Sequence, residues 1–312
     1  MISARQPVNL AESIRARLKN LSKQGNEEFQ LILSKFANER LLYRLGVSPF
    51  SGQFVLKGAT LFRLWGESQH RATWDLDLLG RGSSNVLGIE EIVRSICGIP
   101  SEDGLVFDQD SIQGEMIRAA GQHAGVRIRL QAKLAGARIR MQVDIGFGDE
   151  VTPSPALERF PTLLDLPSPL VLVYPREAVV AEKSEAMISL GVTNSRMKDF
   201  YDIQALAASF EFQGAVLSEA IRVTFERRGT PFPPEIPLVL TRQFLGAPER
   251  QTQWRAFVRR GRLDAPPDAG DLADGLQRFL WPVFQAAAQN RLFKQTWHPG
   301  GPWQPEDSIP GS

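Results

Sequence analysis

Two hydrophobic periods divide this chain. From Leu10 to Gly46 apolar residues recur three and four apart: Leu10, Ile14, Leu18 and Leu21 share one stripe, Gly25 interrupts it, and Phe29, Ile32, Leu33 and Phe36 open a second stripe that reaches Leu45. The spacing predicts two amphipathic helices within residues 9 to 48, with their charges on the opposite faces, acting as scaffold. From Leu105 to Gly148 the period falls to two. Val126, Ile128 and Leu130 alternate with Arg127, Arg129 and Gln131, a turn is expected near Ala135-Gly136, and Ile139, Met141, Val143 and Ile145 then alternate with Arg138, Arg140, Gln142 and Asp144. This is the pattern of a hairpin with one apolar and one polar face. Short strands are expected over 54–56 and 170–174, and Ser83 or Ser84 is placed to cap a sheet-covering helix over 86–96.

Helical spacing returns after Pro175. Val179, Val180, Ala186, Met187 and Leu190 form the buried stripe of one helix; Phe200, Ile203, Leu206, Ala207 and Phe210 form that of the next, capped by Asn194 or Ser195. The proline-rich stretch 230–237 reads as a stiff linker, further helices are expected over 252–259 and 272–292, the latter bent by Pro282, and 298–312 reads as a loose tail. The expected organisation is α+β: an N-terminal helical segment at 1–48, a mixed-sheet core at 49–175, a C-terminal helical domain at 176–297 and a flexible tail at 298–312.

Composition narrows the class without naming a function. With 312 residues, 43% of them hydrophobic, the chain can bury a sizeable core. Its apolar runs fall short of the ~20 residues a bilayer demands, and Met1-Ile2-Ser3-Ala4-Arg5 lacks an apolar signal region, so a cytoplasmic location with no membrane partner is expected. The single Cys97 excludes an internal disulfide, and three histidines with one cysteine leave little scope for zinc. A net charge of +1 does not announce a nucleic-acid binder. Arg222, Arg227, Arg228, Arg242, Arg250, Arg255, Arg259, Arg260 and Arg262, however, lie among few acids (Glu226, Glu235, Glu249) and form either a basic surface for a polyanion or an ordinary solvated helical surface.

The chemistry concentrates at Leu56-Lys57-Gly58-Ala59-Thr60. Gly58 gives the backbone room to turn, and the helical spacing from Ala59 to Trp65 presents unpaired N–H groups to which a phosphate can bind. Residues 73–79 alternate as a strand, setting Asp75 and Asp77 on one face about 7 Å apart, with Trp74, Leu76 and Leu78 on the other. Converging carboxylates ~4 Å apart repel by roughly 4 kcal/mol at an effective dielectric near 20, which a raised pKa or a hard cation relieves. Magnesium does so while binding phosphate oxygens; a solvated Asp-x-Asp edge is the ordinary alternative. With the hairpin's apolar face packed, Asp144 joins the same open side as a third carboxylate. Arg138 and Arg140 share that side, either for triphosphate or RNA or merely as polar strand surface. Lys183 interrupts an apolar helix stripe, so its amine must snorkel, pair with an acid or meet a ligand. Asp199 and Asp202, one turn apart, either serve the helix dipole or sit beside that lysine.

The ordered set Leu56-Lys57-Gly58-Ala59-Thr60, Arg71 through Leu78, Val143-Asp144-Ile145, Tyr174-Pro175-Arg176-Glu177, Ala181-Glu182-Lys183 and Ser195 through Asp202 resembles the AbiEii/AbiGii abortive-infection toxin family over residues 10 to 210. These are nucleotidyltransferase-fold proteins of type IV toxin–antitoxin systems and include the MenT-like toxins. The resemblance implies a polymerase-beta-like fold and a magnesium-dependent toxin that transfers NMP from an NTP to an acceptor, with RNA, above all the tRNA 3′ end, as that acceptor and an AbiEi-like protein as cognate antitoxin. By the same resemblance Asp75 and Asp77 bind Mg2+, with Asp144 where related folds place a third carboxylate. Lys57, Gly58 and Thr60 hold the nucleotide phosphates, Lys183 and Asp199 are catalytic, and Asp202 is a nucleotide-binding neighbour. Gly58-Ala59 stands where the wider superfamily has Gly-Ser, so backbone amides or Thr60 take over the serine contact. Two rivals remain: a metal-dependent nuclease using the same carboxylates, and a nucleotide- or partner-binding module of this fold without turnover.

Overall fold

A computed structural model describes residues 10–66, 71, 73–118, 124–148 and 150–306. The outer ends of the expected segments 1–48 and 298–312, and Ala72 of the aspartate motif, lie outside the described residues. The chain divides into two compact units, one comprising 1–149 with 156–173, the other 150–155 with 174–312.

The first unit contains α1 (Leu10–Gln24), α2 (Phe29–Gly46), β1 (Phe54–Lys57), a 3-10 turn (Gly58–Thr60), α3 (Leu61–Leu64), β2 (Leu76–Gly80), α4 (Val86–Cys97), β3 (Val106–Arg118), β4 (Ala124–Leu134), β5 (Ala137–Phe147), β6 (Ala156–Arg159) and β7 (Leu170–Val173). Seven strands form one mixed sheet in the order β3-β4-β5-β2-β1-β7-β6, with β2 parallel to β5 and β1 parallel to β7. The β4–β5 turn is two residues long, Ala135 (φ 45°) and Gly136 (φ 79°), both left-handed as a tight hairpin requires. It pairs Leu134 with Ala137 and fixes every partner behind them. Leu76, Leu78, Val126, Ile128, Val143 and Ile145 are all buried on one face, against which α2 and α4 pack. Each such side chain contributes about 1.5–3 kcal/mol by leaving water.

Three local expectations are corrected. The cap of α4 is Asn85, whose Oδ1 accepts the Gly88 N–H at 2.9 Å, in place of Ser83 or Ser84. The aspartate strand begins at Leu76, so Asp75 lies in the bend that enters it, and Trp74 is 43% exposed instead of lining the inner face. Nor is α2 charged only on its outer side: Glu39, Arg40 and Arg44 are buried. Arg40 Nε lies 3.0 Å from Asp103 Oδ2, and Arg44 grips both oxygens of Asp103 at 2.7 and 3.1 Å. An apolar stripe cannot reveal such a network, because its anion lies about sixty residues downstream.

Glu39 is the unusual member. Oε2 accepts the Leu163 N–H at 2.8 Å, while Oε1 is buried without a hydrogen bond. Burial pushes its pKa up to about 7, against the opposing pull of the Leu163 N–H, Arg63 and Arg40. A folded-state pKa above the unfolded one favours folding fully below about pH 4.5, and that contribution is lost as pH rises through 7. Glu39→Gln is therefore expected to match wild type near pH 4.5 and to exceed it above pH 7 by up to roughly 3 kcal/mol, read from denaturation midpoints across that range. A constant difference at all pH values would contradict the assignment.

The second unit contains α5 (Arg176–Leu190), α6 (Met197–Ser209), β8 (Phe212–Gln213), α7 (Gly214–Arg228), α8 (Arg242–Leu245), α9 (Pro248–Gly261), α10 (Gly270–Ala288), β9 (Gln295–Trp297) and β10 (Trp303–Pro305). Helices α5, α6, α7 and α10 enclose a core of Phe200, Ile203, Leu217, Ile221, Phe225, Leu276, Phe279 and Phe284. The stretch 230–237 is pinned instead of spanning freely: Phe232 stacks on Phe225 at 4.6 Å, and the Thr230 hydroxyl donates to Glu185 at 2.6 Å. The described part of the expected tail is likewise held. Trp303 pairs with Trp297 in the β9–β10 ladder, stacks on Phe279 and donates its indole N–H to the Phe279 carbonyl at 3.0 Å.

Candidate active site

In the first unit, strand register builds the site. Lys57 on β1 is opposite Asp77 on β2, Asp77 is beside Asp144 on β5, and Asp144 is opposite Arg127 on β4. Partners in register share a face, so four adjacent strands carry one row, Lys57, Asp77, Asp144, Arg127, on the side away from the packed helices. Neighbouring strands are about 4.8 Å apart, which draws the two carboxylates together, flanked on each side by a cation.

Gly58 is dictated by its surroundings. It follows Lys57 at φ +75°, and a Cβ there would lie 2.1 Å from Asp77 Oδ2. The Asp77 carboxylate rests on bare glycine backbone. Lys57 extends over Gly146, where an added Cβ would meet its Nζ at 3.6 Å. Asp75 is held through its backbone: Asn38 Nδ2 donates to the Trp74 carbonyl at 3.1 Å, and Thr73 Oγ1 to the Asp75 carbonyl at 3.3 Å. Thr60 is 4% exposed and its hydroxyl is enclosed without a partner.

Asp144 is already engaged. Arg127 Nε and Nη2 bind its two oxygens at 2.8 Å each, and Gln142 approaches at 3.4 Å. The hydrogen bonds to Asp144, then the charges of Asp144 and Asp75, hold the Arg127 pKa above its ordinary value. Among the described residues no three His, Cys, Asp or Glu side chains are grouped to hold a metal ion, so the three-carboxylate set Asp75, Asp77, Asp144 is not assembled in this arrangement. The donor chemistry still fits magnesium, which is usually bound by one or two carboxylates together with substrate phosphates. Arg138 and Arg140 are opposite Lys133 and Gln131, further along the hairpin, and are exposed. The arginine at Asp144 is Arg127, which the reading by periodicity passed over. Counting back from the two-residue turn pairs 127 with 144, so the signal was present in the loop length.

In the second unit, Lys183 on α5 reaches two acids on α6. Its Nζ lies 2.8 Å from Asp199 Oδ1 and 2.7 Å from Asp202 Oδ2; both acids are fully buried, and 14% of the lysine side chain is exposed. Arg196 Nε lies 2.6 Å from Asp199 Oδ2, an ion pair without hydrogen-bond alignment. Of the three possibilities for Lys183, the structure shows pairing with acids.

The profile of the family described as nucleotidyl transferase AbiEii toxin, type IV TA system, matches residues 40–290, well over half of the chain. No curated protein matches it. Among solved structures, a proposed nucleotidyltransferase from H. pylori is 16% identical, with 80% of this chain and 91% of that one covered and a TM-score of 0.42. JHP933 from Helicobacter pylori gives the same identity, share of this chain and TM-score, with 88% of its own length covered. Among the described residues no helix is long and apolar enough to cross a membrane. The chain is a nucleotidyltransferase and belongs to the AbiEii toxin family of type IV toxin–antitoxin systems.

Proposed function

We propose that the protein transfers NMP from an NTP to a hydroxyl of RNA, with the tRNA 3′ end as acceptor, in a magnesium-dependent reaction. The observation that carries this is the carboxylate of Asp77 seated on the Gly58 turn, two residues beyond Asp75 and in register with Asp144. Asp75 and Asp77 would hold the ion, which when bound neutralises triphosphate oxygens and favours in-line displacement at the α-phosphorus. The acceptor oxygen forms the new bond to that phosphorus, its proton passing to Asp144, while the bond to pyrophosphate breaks. Asp144 orients the attacking hydroxyl once Arg127 yields one of its oxygens, and the freed guanidinium adds positive charge beside Lys57. For Lys183 in the second unit, oriented by Asp199 and Asp202, we propose the catalytic role that the family resemblance implies. The family also implies a cognate antitoxin, for which we propose an AbiEi-like protein; we further propose a cytoplasmic site of action.

Incubation with each α-labelled NTP and total RNA tests this, with mass spectrometry of RNA 3′ ends. Label is expected in RNA with one preferred NTP, and chelation with EDTA is expected to abolish it. Shortened RNA without label would replace the reading with nuclease chemistry. NTP binding with no turnover in any metal would replace it with a binding module.

A further inference from the structure

The arginines of the second unit are not alike. Arg222 bridges Glu219 and Glu226, Arg242 binds Asp274 and Asp271, Arg228 binds Glu185, and Arg250 donates to the Val192 carbonyl while covering the Phe244 ring. These cations are consumed within the fold. Arg255, Arg259, Arg260 and Arg262 differ: all four are exposed, and among the described residues no carboxylate or ring holds any of them. They occupy the end of α9 and its cap, where Trp254 and Gln251 form the buried side of the helix. On α9, which ends at Gly261, Arg255 and Arg259 lie one turn apart, about 40° from each other around the axis; Arg260 is in the last turn, and Arg262 follows as the left-handed C-cap at φ 50°. Arg255 and Arg259 are about 6 Å apart along the axis. Between 242 and 262 there are six arginines and one acid, in a chain whose net charge is only +1.

Ordinary solvated surfaces mix signs, and neighbouring guanidinium groups without acids between them repel one another, so a one-sign cluster suits an extended anion. The nearest aromatic rings do not offer a stacking platform: Phe257 packs edge-on to Tyr201 at 5.7 Å and against Trp254 at the same separation. The contact available is therefore to phosphates, not bases. We infer that the exposed cluster of Arg255, Arg259, Arg260 and Arg262 at the end of α9 and its cap is a docking surface for the phosphate backbone of RNA, which holds the acceptor without reading its sequence. This rests on RNA being the acceptor, so binding and transfer must be measured separately.

The test uses fluorescently labelled total tRNA with full-length wild type and R255Q/R259Q/R262Q, titrated by anisotropy between 50 and 300 mM salt. The three side chains are exposed, so the variant is expected to give a wild-type denaturation profile. Wild type should show a steep fall of affinity with salt. The variant's log–log slope should be shallower by about 2 to 3, with binding weaker by roughly tenfold or more, whatever the RNA sequence. In transfer assays its KM for RNA should rise while kcat and KM for NTP stay unchanged. Equal affinity and slope for wild type and variant would overturn the docking surface and leave the RNA reading intact. Transfer to RNA by wild type with no measurable RNA affinity at 50 mM salt would also overturn it. Failure of wild type either to bind or to label RNA would remove both, as would variant-sensitive capture by phosphatidylserine vesicles with none by RNA.

Discussion

Gly58→Ala is expected to lower NMP transfer by about a thousandfold, the equivalent of roughly 4 kcal/mol, and to cost about 1–3 kcal/mol of stability. Two independent features of the site produce this. At φ +75° any side chain pays a backbone penalty, and the new Cβ would lie 2.1 Å from Asp77 Oδ2 and 2.8 Å from its Cβ and Cγ. Because Asp77 is anchored in β2 between Lys57 and Asp144, the strand cannot retreat without breaking register, so the carboxylate must rotate off the glycine. Asp77→Asn separates the two effects. The amide keeps the shape but loses the charge proposed to hold the cation, so transfer should fall as far while stability remains close to wild type. In G58A/D77A the clash is relieved, and part of the lost stability should return with none of the activity. Stability comes from denaturation and transfer from incorporation of α-label into RNA. Wild-type transfer by Gly58→Ala would show that the carboxylate is not used where it rests.

The parts of this arrangement that follow from local rules were legible in the chain itself. Alternation placed the inner faces of β4 and β5 and set Asp144 on the outer face, and the Ala135-Gly136 turn then determined its partner. The Gly58 bend and Asp77 were visible as residue types, although the contact between them was not, because it depends on how closely β1 and β2 approach. Long-range electrostatics were the blind spot. Nothing near Arg40 or Arg44 announces Asp103, and nothing near Glu39 announces the Leu163 N–H. The same limit applied to the basic run of the second unit: the positions of Glu219, Glu226, Asp271, Asp274 and Glu185, and of the Val192 carbonyl, distinguish the arginines already held from the four that no carboxylate or ring holds among the described residues. Asp75 was misplaced by one structural step for a related reason. Alternation continues through Thr73 and Trp74, but strand pairing stops at Leu76, where β5 still provides a partner.

Lys183→Met should be the most damaging single change in the second unit. It removes the ammonium that Asp199 and Asp202, both fully buried, share, while Arg196 stays beside Asp199. Uncompensated buried charge typically costs about 3–5 kcal/mol, a large share of the roughly 5–15 kcal/mol that holds a domain together. Asp202→Asn is expected to be much milder, because the amine keeps Asp199 at 2.8 Å and the amide oxygen can still accept. In K183M/D202N one of the stranded charges is gone, so this double variant should be more stable than Lys183→Met alone despite carrying more substitutions. Recovery of that kind identifies repulsion, not lost packing, as the source of the damage; a double variant less stable than Lys183→Met would exclude it. Activity must follow a different pattern if the amine also has the proposed catalytic role. K183M/D202N should regain stability and no transfer, whereas Asp202→Asn should retain most of both. Transfer that returned in step with stability would reduce the lysine to a structural cation.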